Sequence, residues 1–322
     1  MSAHPRQWYS IRSAGLEGAV KIDWNRWISA LRGRPRPQAA PATEAVPAPR
    51  RLGLALGGGF ARGMAHIGVL KVLEENQIPV HCIAGVSAGA IVAAAYASGA
   101  TPDEIARAGC AMRFTDVARW TIGRMGIAGS ERMDRFLRKL LQRYTFEAMR
   151  IPLGIVATDI VSGDPVIFRD HGDVILPIRA SCSYPGLFQP VRCGDRLLVD
   201  GAISMEVPAW LARLLGATHV VSLHLPLQGA ATMPTNMFHV INRCFQIMHS
   251  RTEMTWRQHS DLVIEPDVRG MEWDAFESAA QLIQAGEQAA RLALPSLARW
   301  GFGERDPAPA ELAPGRAQPV VI

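Results

Sequence analysis

The feature that most restricts this chain is an alternation of short, uncharged apolar runs with stretches patterned for helices. The run 52–56 (LGLAL) reads as a buried strand, and a helix from about Arg62 to Asn76 follows it. The run 80–84 (VHCIA) predicts a second strand, with a helix opening near Ser87. Thr101-Pro102-Asp103-Glu104 starts a further helix: proline suits the first helical position, and Thr101 and Glu104 can cap each other's amides. Later strands are predicted at 151–157, 164–168, 196–199, 218–224 and 261–265, and helices at 206–215 and 274–293. Apolar runs separated by helices suit strands buried on both faces. The pattern predicts an α/β domain with a mostly parallel central sheet in a three-layer α/β/α arrangement. Sites in such sheets lie beyond the carboxyl ends of the strands.

The alternation stops at both ends. Residues 33–51 carry five prolines and almost no large apolar side chain, which reads as a linker. Before it, Val20, Trp24, Trp27, Ile28 and Leu31 share one face at helical spacing. That helix either docks on the main domain or lies in a membrane surface with its tryptophans at headgroup level. The expected organisation is residues 1–50 as amphipathic helix and linker, 51–302 as the domain, and 303–322 as a proline-rich disordered tail.

Composition narrows the class of protein. At 322 residues, 48% hydrophobic and 20% charged, the chain suits a soluble globular fold with a sizeable core. The formal net charge of +5 is concentrated near the linker, at Arg32, Arg34, Arg36, Arg50 and Arg51. It fits a solvated surface or attraction to anionic headgroups. No nucleic-acid motif accompanies it. The five cysteines are scattered without a C-x-x-C pair, which argues against a disulfide framework and a zinc site and for a reducing compartment. The N-terminus has no apolar signal core, and the run Ala88 to Ala100 is too short to span a bilayer. A cytoplasmic protein is expected, with peripheral membrane contact through its N-terminal helix.

Three segments sit where chemistry belongs. Gly57-Gly58-Gly59-Phe60-Ala61-Arg62-Gly63 follows the first strand, and such a loop can present successive N–H groups to negative charge. It is not a nucleotide cradle: Arg62 stands where a dinucleotide loop needs its third glycine, and Met64 where a phosphate loop needs lysine. Gly85-Val86-Ser87-Ala88-Gly89, between strand and helix, has the pattern of a nucleophile elbow, although Ser87 could instead merely cap its helix. Serine needs a base to become nucleophilic. Asp200, directly after the apolar run 197–199 and before Gly201 and Ala202, is a candidate at the same sheet edge; aspartate before glycine is also common in plain turns. His224 offers a triad alternative, with His219, His239, His249 and His259 behind it. The stripe Phe238, Phe245, Met248 and Met254 reads as ordinary core, with an acyl pocket as the alternative.

In this order, the glycine loop, elbow and Asp-Gly-Ala segment resemble the patatin-like phospholipase family. The block from Ala180 to Pro190 is similar to a further family segment, although Gln189 stands where proline is more usual. The stretch 276–290 (FESAAQLIQAGEQAA) is similar to bacterial members akin to the neuropathy-target-esterase branch. The resemblance implies a patatin-like fold and a serine lipid acyl hydrolase with Ser87 as nucleophile and Asp200 as proton acceptor. Gly57, Gly58, Gly59 and Arg62 would form the oxyanion site, with Gly85, Gly89, Gly201 and Ala202 as motif residues. Arg62 would either lock the loop through an ion pair or face the oxyanion or a lipid phosphate. The expected partner is a lipid or lysophospholipid substrate, with no nucleic acid, cofactor or catalytic metal. An acyltransferase or a lipid-binding regulator without turnover are the alternatives on the same scaffold.

Overall fold

The structure, a computed structural model, describes residues 49–302 except 122, 227–232 and 273. The expected N-terminal helix, most of the linker and the tail lie outside the described residues. β1 (Leu52–Leu56) leads through the glycine loop and a 3-10 turn (Phe60–Met64) into α1 (Ala65–Glu75). β2 (Cys82–Val86) leads into α2 (Ala88–Ser98), and α3 (Pro102–Ala111) follows. A lobe of short elements comes next: α4 (Phe114–Val117), β3 (Arg119–Trp120), β4 (Gly126–Gly129) and α5 (Glu131–Leu140). The chain returns through β5 (Leu153–Asp159), β6 (Pro165–Arg169), α6 (Ile175–Ser181), β7 (Gly186–Phe188), β8 (Val191–Cys193) and β9 (Arg196–Asp200). It then runs through α7 (Ala209–Leu214), β10 (His219–Leu223), α8 (Met237–Arg257), β11 (Leu262–Ile264) and α9 (Ala279–Arg299).

The main sheet has the order β11-β10-β1-β2-β5-β9-β8, with β6 also beside β5. The run from β11 to β5 is parallel throughout, so the expected three-layer α/β fold with a mostly parallel sheet is present. Side-chain size differs between the two faces. Leu52, Leu54, Leu56, Ile83 and Ile155 point into the large core under α1, α2 and α9. On the other face, Ala55, Ala84 and Gly53 let α7 approach closely; a Cβ on Gly53 would come within 2.5 Å of Ala217 Cβ. Small residues there leave no room for error, because interiors pack at crystal density.

The predicted capping box is formed: Glu104 N–H donates to Thr101 Oγ1 at 3.3 Å, and Thr101 N–H to Glu104 Oε2 at 2.8 Å. The second strand lies two residues later than predicted, because Gly85 stays in the sheet opposite Leu56. The helix expected from Arg62 is a 3-10 turn followed by α1. The β3-β4-β7 sheet and α8 were not foreseen.

Asp200 reaches the predicted edge by an unexpected route. The sequence reading places it at the carboxyl end of a parallel strand, but β9 runs antiparallel to β5. β6 occupies one side of β5, so β2 and β9 share the other side end to end. Val86 pairs with Val156 and Asp200 with Ala157, one residue on. The ends of β2 and β9 therefore meet head to head. A segment that follows β2 in sequence by more than a hundred residues is brought to its tip by a shared neighbour.

Candidate active site

Ser87 is the first residue beyond β2, held at φ 54° and ψ −127°. A positive φ is unfavourable for a residue with a Cβ, and such strain marks sites where the surroundings over-determine the backbone. The flanking glycines are steric requirements of this turn. A Cβ on Gly85 would approach the Gly89 carbonyl oxygen to 2.5 Å, and one on Gly89 would approach the Gly57 carbonyl oxygen to 2.6 Å. Ser87 does not cap α2 with its side chain. The Asp200 carboxyl lies close enough for the Ser87 hydroxyl to pull its pKa down.

Asp200 is 1% exposed. Burial pushes its pKa up to about 7, against the hydrogen bond from the Ala202 N–H and the nearby Ser87 hydroxyl, which pull it down. The Ala202 N–H donates to Oδ1 at 2.9 Å, fixing the carboxyl plane. A carboxylate with a raised pKa is a competent proton acceptor near neutral pH.

The fourth sequence block braces both groups. Ser87 N–H donates to Ser181 Oγ at 2.8 Å, and the Cys182 thiol donates to the Ser87 carbonyl at 3.2 Å. Asp200 N–H donates to the Ser183 carbonyl at 3.0 Å, while Thr158 Oγ1 donates to the Asp200 carbonyl at 2.9 Å. Sequence reasoning did not find Ser181, Ser183 or Thr158. The likeness of residues 180–190 to a family segment was the available signal, and it carried no geometry.

The glycine loop divides into struts and open donors. Gly57 N–H donates to the Leu223 carbonyl at 3.0 Å, and the Gly57 carbonyl contacts His66 Nε2 at 2.9 Å. Gly57 is thus committed to the scaffold and is not an available donor, contrary to the sequence expectation. His66 is fully buried, and burial lowers its pKa to about 4, so it serves as a neutral strut. Among the described residues, no hydrogen bond engages the N–H of Gly58 or Gly59. Gly58 lies against the serine: a Cβ on it would stand 3.4 Å from Ser87 Cβ and 3.6 Å from Ala202 Cβ.

Arg62 is 6% exposed, its Nε has no partner, and no ion pair within 4.0 Å holds it among the described residues. Burial lowers its pKa, and the more distant Glu272 partly offsets this. Of the two roles left open for Arg62, the loop-locking ion pair is therefore not seen among the described residues.

Two cavities meet at Ser87. One, of about 700 Å³ including space open to solvent, is lined by Met64, Ile91, Met112, Met133, Phe136 and Phe188 among others. The other, of about 660 Å³, holds Gly58, Gly59, Arg62, Tyr184, Asp200 and Asn242. α8 roofs this second cavity with Asn242, Phe245 and His249, so Phe245 belongs to a cavity wall, and Met254 of the same predicted core stripe is 73% exposed.

His224 lines the second cavity, but its ring nitrogens face carboxylates: Nε2 lies 3.1 Å from Glu206 Oε1 and Nδ1 3.1 Å from Glu265 Oε1. Burial pulls its pKa down, yet those hydrogen bonds outweigh burial and hold it above the ordinary value. Glu206 also contacts His249 Nδ1 at 3.3 Å, and His249 Nε2 reaches the Ala202 carbonyl at 3.0 Å. His224, Glu253 and Glu265 present ligand atoms within 4.8 Å of one another, but Arg257 is paired with both carboxylates, which places a cation there already.

The chain is similar to known proteins over much of its length. The patatin-like phospholipase family profile matches residues 54–213. An NTE family protein of Mycobacterium tuberculosis is 31% identical over 272 residues, covering 76% of this chain and 46% of that protein. Patatin-like phospholipase domain-containing protein 6 of Mus musculus is 31% identical over 194 residues, 57% of this chain and 14% of that one. The crystal structure of VipD from Legionella pneumophila overlaps 77% of this chain and 67% of its own, with TM-score 0.45 and 14% identity. The chain thus spans about half the length of the mycobacterial relative, and the family match over residues 54–213 contains the glycine loop, the elbow and the Asp-Gly-Ala segment. It belongs to the patatin-like phospholipase family.

Proposed function

We propose that residues 51–302 form a serine lipid acyl hydrolase that cleaves carboxylic esters through an acyl-enzyme, with Ser87 as nucleophile and Asp200 as proton acceptor. One observation carries the reading: a serine at positive φ stands beside a buried aspartate of raised pKa and, among the described residues, two glycine amides without partners. Ser87 Oγ attacks the ester carbonyl while its proton passes to Asp200. The oxyanion accepts hydrogen bonds from the Gly58 and Gly59 N–H groups, each contributing roughly 3 kcal/mol to transition-state stabilisation. The buried Arg62 guanidinium adds positive potential to the same cavity. Collapse expels the alcohol, which takes the proton from Asp200, and water then releases the acid by the reverse steps.

The cavities on either side of Ser87 support a lipid ester. The apolar one suits the acyl chain, since methylene groups gain from leaving water and nothing there needs a hydrogen bond. The polar one suits the leaving alcohol. Ser87→Ala is expected to abolish hydrolysis of a lipid ester panel and labelling by a fluorophosphonate. Labelling that persists in this variant overturns the assignment.

A further inference from the structure

The outer surface around β3, β4 and α8 is unusual for a water-soluble fold. α8 turns two opposite faces to different surroundings. Phe245 and Trp256 are buried on its inner side, and Asn242 and His249 line the polar cavity. The outer side carries Met237, Val240, Cys244 and Ile247 at alternating three- and four-residue spacing, then Arg251 and Met254. Met237 is 57% exposed, Val240 49%, Ile247 43% and Met254 73%. An exposed apolar stripe of this kind is a contact surface that lacks its partner.

The neighbouring lobe also carries exposed apolar side chains. β7 pairs with β4, and the first half of α8 packs on β7, with Tyr184 Oη donating to Asn242 Oδ1 at 2.7 Å. On this lobe Trp120 is 61% and Met125 60% exposed, between the exposed Arg119 and Arg124. Residues 113–140 contain seven basic and three acidic side chains. Of the acids, Asp116 accepts from the Arg113 N–H and Asp134 pairs with Arg179, so little negative charge faces outward. Trp120 is also the outer end of an aromatic path: its ring centroid lies 5.3 Å from that of Phe114, which lies 6.2 Å from Phe60, a wall of the apolar cavity.

We propose that Arg119, Trp120, Arg124 and Met125, together with the outer face of α8, form a docking surface for a lipid bilayer containing anionic headgroups. This rests on the lipid-hydrolase reading above. Tryptophan, methionine and valine enter the interface, while Arg119 and Arg124 meet the phosphates. The charge pattern selects a membrane over a second copy of the chain: a two-fold contact through this face sets arginine against arginine. Docking there turns Trp120 and the aromatic path toward the lipid. An ester can then reach Ser87 without crossing water.

The test uses the full chain and vesicles of phosphatidylcholine alone or mixed equally with phosphatidylglycerol. Met125→Ser combined with Val240→Ser should weaken binding to the mixed vesicles about tenfold, with an equal loss of turnover on vesicle lipid. Hydrolysis of a short, water-soluble nitrophenyl ester should stay as in the parent. Arg119→Glu with Arg124→Glu should remove the preference for the anionic vesicles, and Ile247→Ser with Met254→Ser provides an independent apolar variant. Unchanged vesicle binding in all three variants overturns the proposal. So does a change from dimer to monomer with vesicle binding intact, which would assign the face to self-association. Ser87→Ala separates the two ideas: if the hydrolase reading fails, soluble-ester turnover is absent or indifferent to Ser87, while the vesicle results stand.

Discussion

The two cavities that meet at Ser87 are nearly equal in size but differ in how many polar side chains they hold. The one under α2 and α5 is walled by methionine, isoleucine and phenylalanine, with polar atoms almost confined to the serine itself. The one under α8 gathers an arginine, an aspartate, a glutamate and two histidines. The apolar wall is shaped by packing alone, so it discriminates by length and width. The polar wall is a hydrogen-bond network anchored to the catalytic turn: Glu206 bridges both histidines, and His249 holds the carbonyl of Ala202, whose N–H holds Asp200. Substitutions on the two sides should therefore fail differently, one in substrate choice and the other in stability and positioning.

The largest effect belongs to Asp200, which shares the second cavity with the serine. Asp200→Asn should lower kcat by at least about a thousandfold, since the proposed mechanism loses its general base while the elbow stays intact. In the parent enzyme the rate should rise with pH through about 7 and then level, because only the ionised carboxylate accepts the proton. Stability runs the other way. The folded pKa is raised above the unfolded value, so this group's contribution is full below about pH 4 and lost as pH rises to about 7. Asp200→Asn lacks that loss. A thermal melt above pH 7 should find it at least as stable as the parent, and a kcat profile without an inflection near 7 removes Asp200 from the mechanism.

How much of this was legible in the sequence differs between the two sides. Gly85, Ser87, Gly89, Asp200 and Gly201 could be read because each obeys a local rule about turns and strand ends. The strands could be read because uncharged runs such as 52–56 have few other uses. The antiparallel direction of β9 could not, since an apolar run looks the same whichever way it runs. The commitment of the Gly57 N–H to Leu223 was equally hidden, because identical glycines differ only in what stands beside them. α8 was missed as a roof: its inner polar face, Asn242 and His249, resembles an ordinary solvent face until the cavity beneath is known.

On the apolar side, Gly109 of α3 offers the sharper probe. A Cβ there would stand 2.7 Å from Met64 Sδ, and both residues line the cavity. Methionine is flexible enough to shift, so the fold should survive a larger side chain. Gly109→Leu should cut kcat/KM for long-chain esters about tenfold relative to short ones, as lost methylene burial outweighs the other contacts. An equal loss on every chain length would place the acyl group elsewhere.

The smallest kinetic effect is expected at His224, where the polar side acts only through its neighbours. Both ring nitrogens are occupied by carboxylates, so it has no lone pair to offer Ser87 when protonated. His224→Ala should change kcat less than tenfold, and its cost should appear in folding instead. A histidine whose pKa is raised stabilises fully below the unfolded value of about 6.5, and this is lost as pH climbs through the folded value. Glu206 is lowered, despite burial that alone would raise it, by its hydrogen bonds to His224 and Trp256 and by the charge of both histidines, so its own contribution is present above about 4.5. The two contributions overlap in the weakly acidic range. His224→Ala should accordingly lose about 1–3 kcal/mol near pH 6 and less near pH 9, by denaturant titration at the two values. A kinetic loss larger than that of Asp200→Asn would reverse the assignment and make the imidazole, not the carboxylate, the group that takes the proton from Ser87.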